Sequence, residues 1–295
     1  MGREHRLAFI FPGQGTIPRI LPLPSALGTR LFDQAAQVGL RLQDWIEEGD
    51  EDRLRRTQVA QPAILIDSLI KEGRLRERGI IPTVVAGHSL GEYAALVSAG
   101  VVSAQEALSV VIERGRLMES IPGGMAAIVK LPFDRVEAIC RQSGLQVSVA
   151  NVNGPAQVVI SGEEQALLAA MALAEEAGGR AIRLHVSGPF HSPFMEGAQQ
   201  ELAPRIESLP FSVPRIPVIS SVSGKVESDL RRLKGLLLTQ ITACVSWVDV
   251  VEALVQMKVS CAVEVGPGKI LTGLGKRITS QVRFVTFEEA LDGAV

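Results

Sequence analysis

The sequence feature that most constrains the fold is the run Gly87-His-Ser-Leu-Gly91. It fits the pattern GxSxG, and it lies between a short apolar run at 83–86 and a segment with helical periodicity at 89–98. In a nucleophile elbow, a sharp turn between a strand and a helix exposes the serine hydroxyl, and the start of the helix offers free backbone N–H groups to an oxyanion. The pattern therefore predicts an α/β fold with Ser89 as a candidate nucleophile. An ordinary strand-helix turn with a helix-capping serine is the alternative.

Other segments have the periodicity of the strands and helices that would surround this elbow. Leu7–Phe11 is an apolar run that ends at Pro12-Gly13, which predicts a buried strand. The remaining predictions are helices at 26–77 (with a break at Gln61-Pro62), 104–118 and 248–257, and strands at 218–221 and 262–265. Strands that alternate with helices favour a mostly parallel sheet. We therefore expect a large α/β-hydrolase-like domain.

The middle of the chain has a different order of elements. Residues 126–131, 146–152, 157–161 and 180–186 have the composition of strands, and residues 133–142 and 163–177 have that of helices. The order β-α-β-β-α-β is the split βαβ arrangement of a ferredoxin-like domain. We therefore expect a small ferredoxin-like α+β domain at 124–189, inserted into a large catalytic domain formed by 1–123 and 190–295.

Composition excludes several classes of function. Lys+Arg is 30 and Asp+Glu is 32, so the net charge of −2 argues against a nucleic-acid partner. No apolar run reaches the roughly 18 residues of a membrane span, and the N-terminus lacks the pattern of a signal peptide. The three cysteines form no CxxC pair, which predicts buried thiols in a reducing, cytoplasmic environment. No metal-ligand cluster and no phosphate-binding glycine loop is recognisable, so we expect no metal.

A serine nucleophile needs a base, and the chain has four histidines. His5 lies in the N-terminal tail, and His88 is adjacent to the serine, where neighbours on a turn usually point apart. His185 lies on a predicted strand between two apolar residues. His191 lies in a proline-rich loop at 187–194, and loops on rigid scaffolds often carry catalytic groups. Spacing alone leaves open whether His191 is the base or an ordinary loop histidine.

Six motifs in one order resemble a known family. They are FPGQG at 11–15, QPA at 61–63, GHSLGEY at 87–93, ERG at 113–115, PFHS at 189–192 and EVGPG at 264–268. Together they closely resemble the malonyl-CoA:acyl carrier protein transacylase family, which includes stand-alone acyltransferases of polyketide synthases. The resemblance covers about residues 7 to 280.

The resemblance implies a role for each matching residue of the reacting centre. Ser89 matches the nucleophile that attacks the thioester, and His191 matches its general base. Gln14 and Leu90 match the residues whose backbone N–H groups form the oxyanion hole. Arg114 matches the arginine that holds the free carboxylate of the substrate, a task suited to a planar, bidentate guanidinium.

Further positions follow from the same resemblance. Gln240 matches the glutamine whose neighbouring backbone carbonyl orients the histidine in place of a triad carboxylate. In the same way, Gln61, His88 and Asn153 match residues that line the pocket. Phe190 resembles the bulky residue of malonyl-selective members and is expected to crowd an α-methyl branch.

The sequence departs from the family pattern in two places. Thr16-Ile17 replaces the usual Ser-Gln after FPGQG, and Ala243-Cys244-Val245 replaces the usual Asn-Pro-Val before Trp247. Both departures put the local loop geometry and the carrier-binding surface in question, but neither removes a catalytic group.

The function implied by the resemblance is transfer of a malonyl group through a malonyl-Ser89 intermediate. The donor is malonyl-CoA and the acceptor is the phosphopantetheine thiol of an acyl carrier protein, for fatty acid or polyketide synthesis, with no resident cofactor. Candidate contacts for an acidic carrier are Arg180, Arg183, Lys269, Lys276 and Arg277, with scattered surface charge as the alternative. An acyl-thioester hydrolase on the same scaffold and a non-catalytic docking subunit are the rival functions.

Overall fold

The computed structural model describes residues 6–15, 25–143 and 146–295. The strands of this part of the chain are β1 (Leu7–Phe11), β2 (Val84–Gly87), β3 (Gly124–Val129), β4 (Val147–Gly154), β5 (Gln157–Gly162), β6 (Arg180–Arg183), β7 (Val218–Ile219), β8 (Val226–Glu227), β9 (Val245–Ser246), β10 (Cys261–Glu264) and β11 (Arg283–Thr286). They form two sheets, and helices cover both. The chain is therefore of the α/β class.

The helices of the described residues follow the strands along most of the chain. They are α1 (Ala26–Gln37), α2 (Leu42–Glu48), α3 (Glu51–Arg55), α4 (Thr57–Glu77), α5 (Gly91–Ser98), α6 (Ala104–Glu119), α7 (Phe133–Gln142), α8 (Glu164–Glu176), α9 (Glu196–Glu207), α10 (Leu230–Thr239), α11 (Trp247–Gln256), α12 (Ile270–Ile278) and α13 (Phe287–Leu291). Within the described ranges, no helix is long and apolar enough to cross a membrane.

The first sheet has the strand order β11-β10-β1-β2-β7-β8. All its neighbours are parallel except β7 and β8, which are antiparallel. Its central strands β1, β2 and β10 are almost entirely buried because helices lie on both faces, which explains their continuous apolar runs. Parallel strands place their carboxyl ends at one edge, so the turns after β1 and β2 meet there.

The second sheet has the order β6-β3-β5-β4-β9. Strands β3 to β6 pair antiparallel, and α7 and α8 cover one face through a separate apolar cluster that includes Ile128, Val136 and Leu167. Strand β9 comes from much later in the chain and pairs parallel with β4. This short pairing ties the sheet of the middle region to the chain just before α11, a connection that the sequence did not indicate.

The predicted break at Gln61-Pro62 is wrong. Helix α4 runs without interruption from Thr57 to Glu77, with Pro62 inside it. The breaks in the predicted 26–77 helix instead fall between α1 and α2, α2 and α3, and α3 and α4. Pro62 is the sixth residue of α4, so it removes one helical hydrogen bond, but most of α4 is buried on all sides. Tertiary packing therefore outweighs the local preference.

Candidate active site

Two glycines allow close backbone contacts between β1, β2 and α5 at the elbow. Gly87 ends β2 and Gly91 begins α5. A Cβ on Gly87 would lie 2.0 Å from the carbonyl carbon of Gly91, and a Cβ on Gly91 would lie 2.0 Å from the carbonyl oxygen of Phe11. Ser89, between them, has a φ of 51°, a left-handed conformation that is uncommon outside glycine. The turn therefore holds the serine hydroxyl outward at the carboxyl edge of the sheet.

The backbone N–H groups of Leu90 and Gln14 are candidates for an oxyanion hole. Leu90 directly precedes α5, and Gln14 lies in the turn after β1. Neither N–H donates a hydrogen bond to a backbone carbonyl of the described residues. Both residues line the same cavity as Ser89. Free donors at a helix N-terminus are the components of an oxyanion hole.

His191 contacts the serine directly. Its Nε2 lies 2.7 Å from Ser89 Oγ, and its Nδ1 lies 2.9 Å from the carbonyl oxygen of Gln240 and 3.1 Å from that of Ala243. Because a carbonyl can only accept, Nδ1 must carry the proton, which leaves Nε2 as the acceptor facing the hydroxyl. This is the arrangement of a nucleophile, a base and an orienting group, in which two carbonyls take the place of a carboxylate.

Burial keeps this imidazole neutral. The pKa of His191 falls to about 3, chiefly because burial desolvates the charged form and also because of the positive charge of Arg114, while the hydrogen bonds to the two carbonyls oppose the shift. The neutral form is the one that can accept the serine proton.

Arg114 of α6 is a buried cation, with only 1% of its surface exposed. Its Nη1 donates to Gln61 Oε1 at 2.7 Å, and its Nη2 donates to Ser89 Oγ at 3.1 Å and to Gln240 Oε1 at 3.2 Å. The ring of Tyr93 lies 5.8 Å from the guanidinium carbon. Desolvation lowers the pKa of Arg114, but a guanidinium stays protonated in proteins.

The partners of Arg114 are all uncharged. Within the described ranges, no carboxylate oxygen lies within 4.0 Å of its nitrogens, and Nε has no hydrogen-bond partner. The charge of Glu92 attracts the guanidinium, which raises its pKa, but without direct contact. A buried charge that no carboxylate contacts is costly, so a site of this kind favours an anionic group from outside the chain.

These groups face one cavity of about 300 Å³ between the two sheets. Nine of the ten sequence-predicted site residues line it, namely Gln14, Gln61, His88, Ser89, Leu90, Arg114, Asn153, Phe190 and His191. The tenth, Gln240, is fully buried behind Arg114 and contacts it. The rest of the lining is mostly apolar, including Met118, Met125 and Leu274. The tertiary structure thus brings together ten predicted site residues that lie up to 226 positions apart in the chain, from Gln14 to Gln240.

The other histidines are placed differently. His88 points away from Ser89, and its Nε2 lies 2.9 Å from Asn153 Oδ1 while its ring lies against Trp247. Because Asn153 belongs to β4, this hydrogen bond joins the elbow to the second sheet. Desolvation lowers the pKa of His88. His185 is exposed, and His5, like Thr16-Ile17, lies outside the described residues.

Three groups that support the site were not predicted from the sequence. Glu92 and Ser221 form a buried hydrogen-bonded pair behind the elbow, and the Ala243 carbonyl provides the second acceptor for His191. A signal for Glu92 was present in the sequence, because it is the charged residue in an otherwise apolar stretch after the elbow. A charge in such a stretch indicates a buried polar partner. Ser221 and the carbonyl of Ala243 carry no comparable local signal. Among the described residues no group of acidic, cysteine and histidine side chains could hold a metal ion.

The fold and these contacts define a serine-dependent acyltransferase. Residues 30–285 match the model of the acyl transferase domain family. The malonyl CoA-acyl carrier protein transacylase of Bacillus subtilis is 36% identical over 96% of this chain and 94% of its own length, and that of Haemophilus influenzae is 37% identical over 96% of both. The chain belongs to the malonyl-CoA:acyl carrier protein transacylase family.

Solved structures agree with this assignment. The malonyl CoA-acyl carrier protein transacylase of Coxiella burnetii superimposes with a TM-score of 0.91 at 33% identity, covering 98% of this chain and 96% of that one. A malonyl-transacylase solved in complex with its type II polyketide synthase acyl-carrier protein has a TM-score of 0.90 at 34% identity, covering 97% of this chain and 99% of that one.

Proposed function

We propose that the protein transfers a malonyl group from malonyl-CoA to the phosphopantetheine thiol of an acyl carrier protein. The observation that carries this proposal is the buried guanidinium of Arg114, which no carboxylate contacts and whose Nη2 lies 3.1 Å from the hydroxyl of Ser89. A carboxylate bound there would complete the charge pairing of the arginine. It would also place the thioester carbon of the same malonyl group beside the nucleophile.

The first half-reaction forms the acyl-enzyme. Ser89 Oγ gives its proton to His191 Nε2 and attacks the thioester carbon, and the oxyanion accepts hydrogen bonds from the N–H groups of Gln14 and Leu90. Collapse breaks the carbon-sulfur bond. The CoA thiolate leaves and takes the proton from His191 Nε2, so malonyl-Ser89 and free CoA remain.

The second half-reaction regenerates the serine. The thiol of the carrier's phosphopantetheine gives its proton to His191 Nε2 and attacks the ester carbon of malonyl-Ser89. Collapse of the intermediate breaks the bond to Ser89 Oγ, which recovers the proton from His191. The proposed chemistry needs no resident cofactor and no metal, since the carrier itself brings the phosphopantetheine.

Two residues are proposed to select the acyl group. Arg114, held by Gln61 and Gln240, favours an acid over a neutral acyl chain. Phe190 is 5% exposed, lines the cavity and is proposed to crowd the α-methyl of methylmalonyl groups. A single apolar contact of this kind discriminates by only about 1–3 kcal/mol.

We propose the finer architecture on the same basis. The large domain is α/β-hydrolase-like and comprises 1–123 and 190–295, and the insertion at 124–189 is ferredoxin-like. The strand order β6-β3-β5-β4 and the two helices on one face support the second assignment. We also propose a cytoplasmic location, supported by Cys140, Cys244 and Cys261, which are all free thiols.

The proposal is tested by intact mass and by product analysis. With malonyl-CoA, the protein is expected to gain the mass of one malonyl group, and the Ser89→Ala variant is expected to gain none. Addition of a carrier protein with its phosphopantetheine should then move that mass to the carrier. Failure of the wild-type protein to form the adduct would contradict the proposal. Release of free malonate without carrier loading would favour the hydrolase.

A further inference from the structure

A glutamate behind the nucleophile contacts the group that holds Arg114. Glu92 lies in the first turn of α5 and is 2% exposed. Its Oε2 accepts hydrogen bonds from Gln240 Nε2 at 2.7 Å and from Ser221 Oγ at 2.6 Å, with the Ser221 N–H at 3.4 Å. Glu92 does not line the cavity. Any effect of Glu92 on the reaction must therefore act through other residues.

The amide of Gln240 fits its surroundings in one orientation only. Its Nε2 donates to Glu92 Oε2 and, at 3.1 Å, to the carbonyl oxygen of Ser89, while its Oε1 accepts from Arg114 Nη2. Rotation of the amide by 180° would put Oε1 against two acceptors and the NH₂ group against a cation. Each of these contacts would be repulsive, and a buried polar group left without a partner is costly.

We propose that Glu92 is a positioning residue that fixes the amide orientation of Gln240 and thereby holds Arg114 at the hydroxyl of Ser89. This inference rests on the proposed function, because it assigns Glu92 to the recognition of the carboxylate by Arg114. The carboxyl of Glu92 supplies one of the two acceptors for the Gln240 amide, and the other is the Ser89 carbonyl. Without Glu92, the NH₂ group of the amide would keep only the Ser89 carbonyl as an acceptor, and the amide could turn together with the guanidinium.

The role requires an acceptor at this position. Desolvation raises the pKa of Glu92, and the hydrogen bonds from Ser221 and Gln240 oppose the shift. Ionised or protonated, the carboxyl keeps an oxygen that can accept from Gln240. A glutamine at position 92 keeps such an oxygen as well, whereas a leucine of similar size has none. The pair Glu92→Gln and Glu92→Leu therefore separates loss of charge from loss of the acceptor.

The chain offers a matched control outside the site. Glu227 of β8 is 6% exposed, accepts a hydrogen bond from Ser223 Oγ at 2.8 Å and forms an ion pair with Arg232 at 2.8 Å. Its replacement by leucine also removes a buried carboxylate bonded to a serine. Because it lies on the edge strand of the first sheet, Glu227→Leu changes stability without touching the Gln240 amide.

The test measures selectivity among active molecules. The kcat/KM for acylation of Ser89 is determined with malonyl-CoA and with acetyl-CoA, normalised to the fraction of protein that a fluorophosphonate probe labels at Ser89. We expect Glu92→Leu to lower the malonyl-to-acetyl ratio of kcat/KM by about tenfold, because the loss of one hydrogen bond near a charge has an effect of this size. Glu92→Gln and Glu227→Leu should leave the ratio within about threefold of the wild type. Arg114→Ala should lower the ratio more than any other variant.

An unchanged ratio in Glu92→Leu would show that Glu92 only stabilises the fold, and would overturn the inference. If that variant does not fold, Gln240→Leu decides the matter, because the proposed route passes through Gln240 and an unchanged ratio there overturns it equally. These outcomes leave the proposed function intact. That function fails separately if the wild-type protein forms no malonyl-Ser89.

Discussion

Ser89 and His191 both have left-handed backbone conformations, with φ values of 51° and 58°. For residues other than glycine this costs about 1–2 kcal/mol each. The surrounding structure offsets the cost, since Gly87 and Gly91 close the turn at Ser89 and the N–H of His191 donates to the carbonyl of Ile241 at 3.0 Å. The two reacting side chains are therefore positioned by their backbones before any substrate is bound, as preorganisation requires.

The depressed pKa of His191 predicts an unusual pH dependence. Its folded value of about 3 lies below the ordinary 6.5, so the imidazole stays neutral in the free enzyme across mildly acidic pH. The rate at which an uncharged fluorophosphonate labels Ser89 should therefore change by less than about twofold between pH 7.5 and pH 5. A tenfold loss per pH unit below 6.5 would show an ordinary histidine and contradict the geometry.

The same low pKa of His191 makes the free energy of unfolding depend on pH, although the labelling rate of Ser89 does not. The unfolded chain binds a proton at His191 as the pH falls below 6.5, whereas the folded chain does not. The contribution of this residue to the free energy of unfolding is thus present above pH 6.5 and is lost as the pH falls toward 3. Urea unfolding at the same pH values measures this loss of stability separately from the labelling rate of Ser89.

At the scale of the elements, the turn between β2 and α5 depends on close backbone contact with β1. Phe11 at the end of β1 accepts a hydrogen bond from the N–H of His88 at 2.9 Å, and its carbonyl group lies where a Cβ on Gly91 would be. Backbone atoms cannot move aside as the end of a flexible side chain can. The glycines of the elbow are therefore required by packing between elements.

We expect Gly91→Ala to lower the free energy of unfolding by about 3 kcal/mol, the upper end of the usual cost of overpacking. Gly235→Ala is the matched control, because Gly235 lies in α10 with no atom within 4 Å of an added Cβ, so alanine there should be neutral or stabilising by up to about 1 kcal/mol. Thermal and urea unfolding measure both. Equal stability of the two variants would contradict the close contact.

Elements with a recognisable periodic or apolar run were predictable, including β7, whose two residues fall inside the strand predicted at 218–221. Helix α7 coincides with its prediction at 133–142, and β1 with its prediction at Leu7–Phe11. Strands β8 and β9 have two residues each, too few for any periodicity, and only their partners in the sheet define them. The prediction at Pro62 failed because a local rule about proline was applied where burial of α4 decides.

At the scale of the whole molecule, the cavity lies where the carboxyl edge of the first sheet meets the second sheet. Lys269 follows β10 at this edge, directly before the cavity-lining Ile270, and Arg277 donates to Gln157 of the cavity wall at 3.1 Å. Lys276 and Arg180 are exposed as well, and Arg183 is half-buried and paired with Glu164. Positive charge at the rim of a cleft attracts an anionic partner and speeds its association.

We expect the double variant Lys269→Glu and Arg277→Glu to slow transfer from preformed malonyl-enzyme to the carrier by about tenfold at low salt, with the difference shrinking as salt rises. Acylation by malonyl-pantetheine, which lacks the CoA phosphates, should stay within about threefold of the wild type. The control is Arg78→Glu with Lys258→Glu, two exposed residues that precede β2 and β10 at the opposite edge of the sheet. Equal effects of the two double variants would contradict docking at this rim.

The sequence by itself determined the class of fold and the serine elbow, because these rest on a short motif and on periodicity that neighbouring residues share. The other candidate site residues came from six motifs in one order, through the family that they resemble. Only the tertiary structure decided which groups meet. It set His191 between Ser89 and two carbonyls, left Arg114 without a carboxylate partner, and brought Glu92 to Gln240 from 148 positions away. These contacts depend on how the two sheets and α4 to α6 pack against one another. Packing is a property of the whole chain that no local pattern encodes.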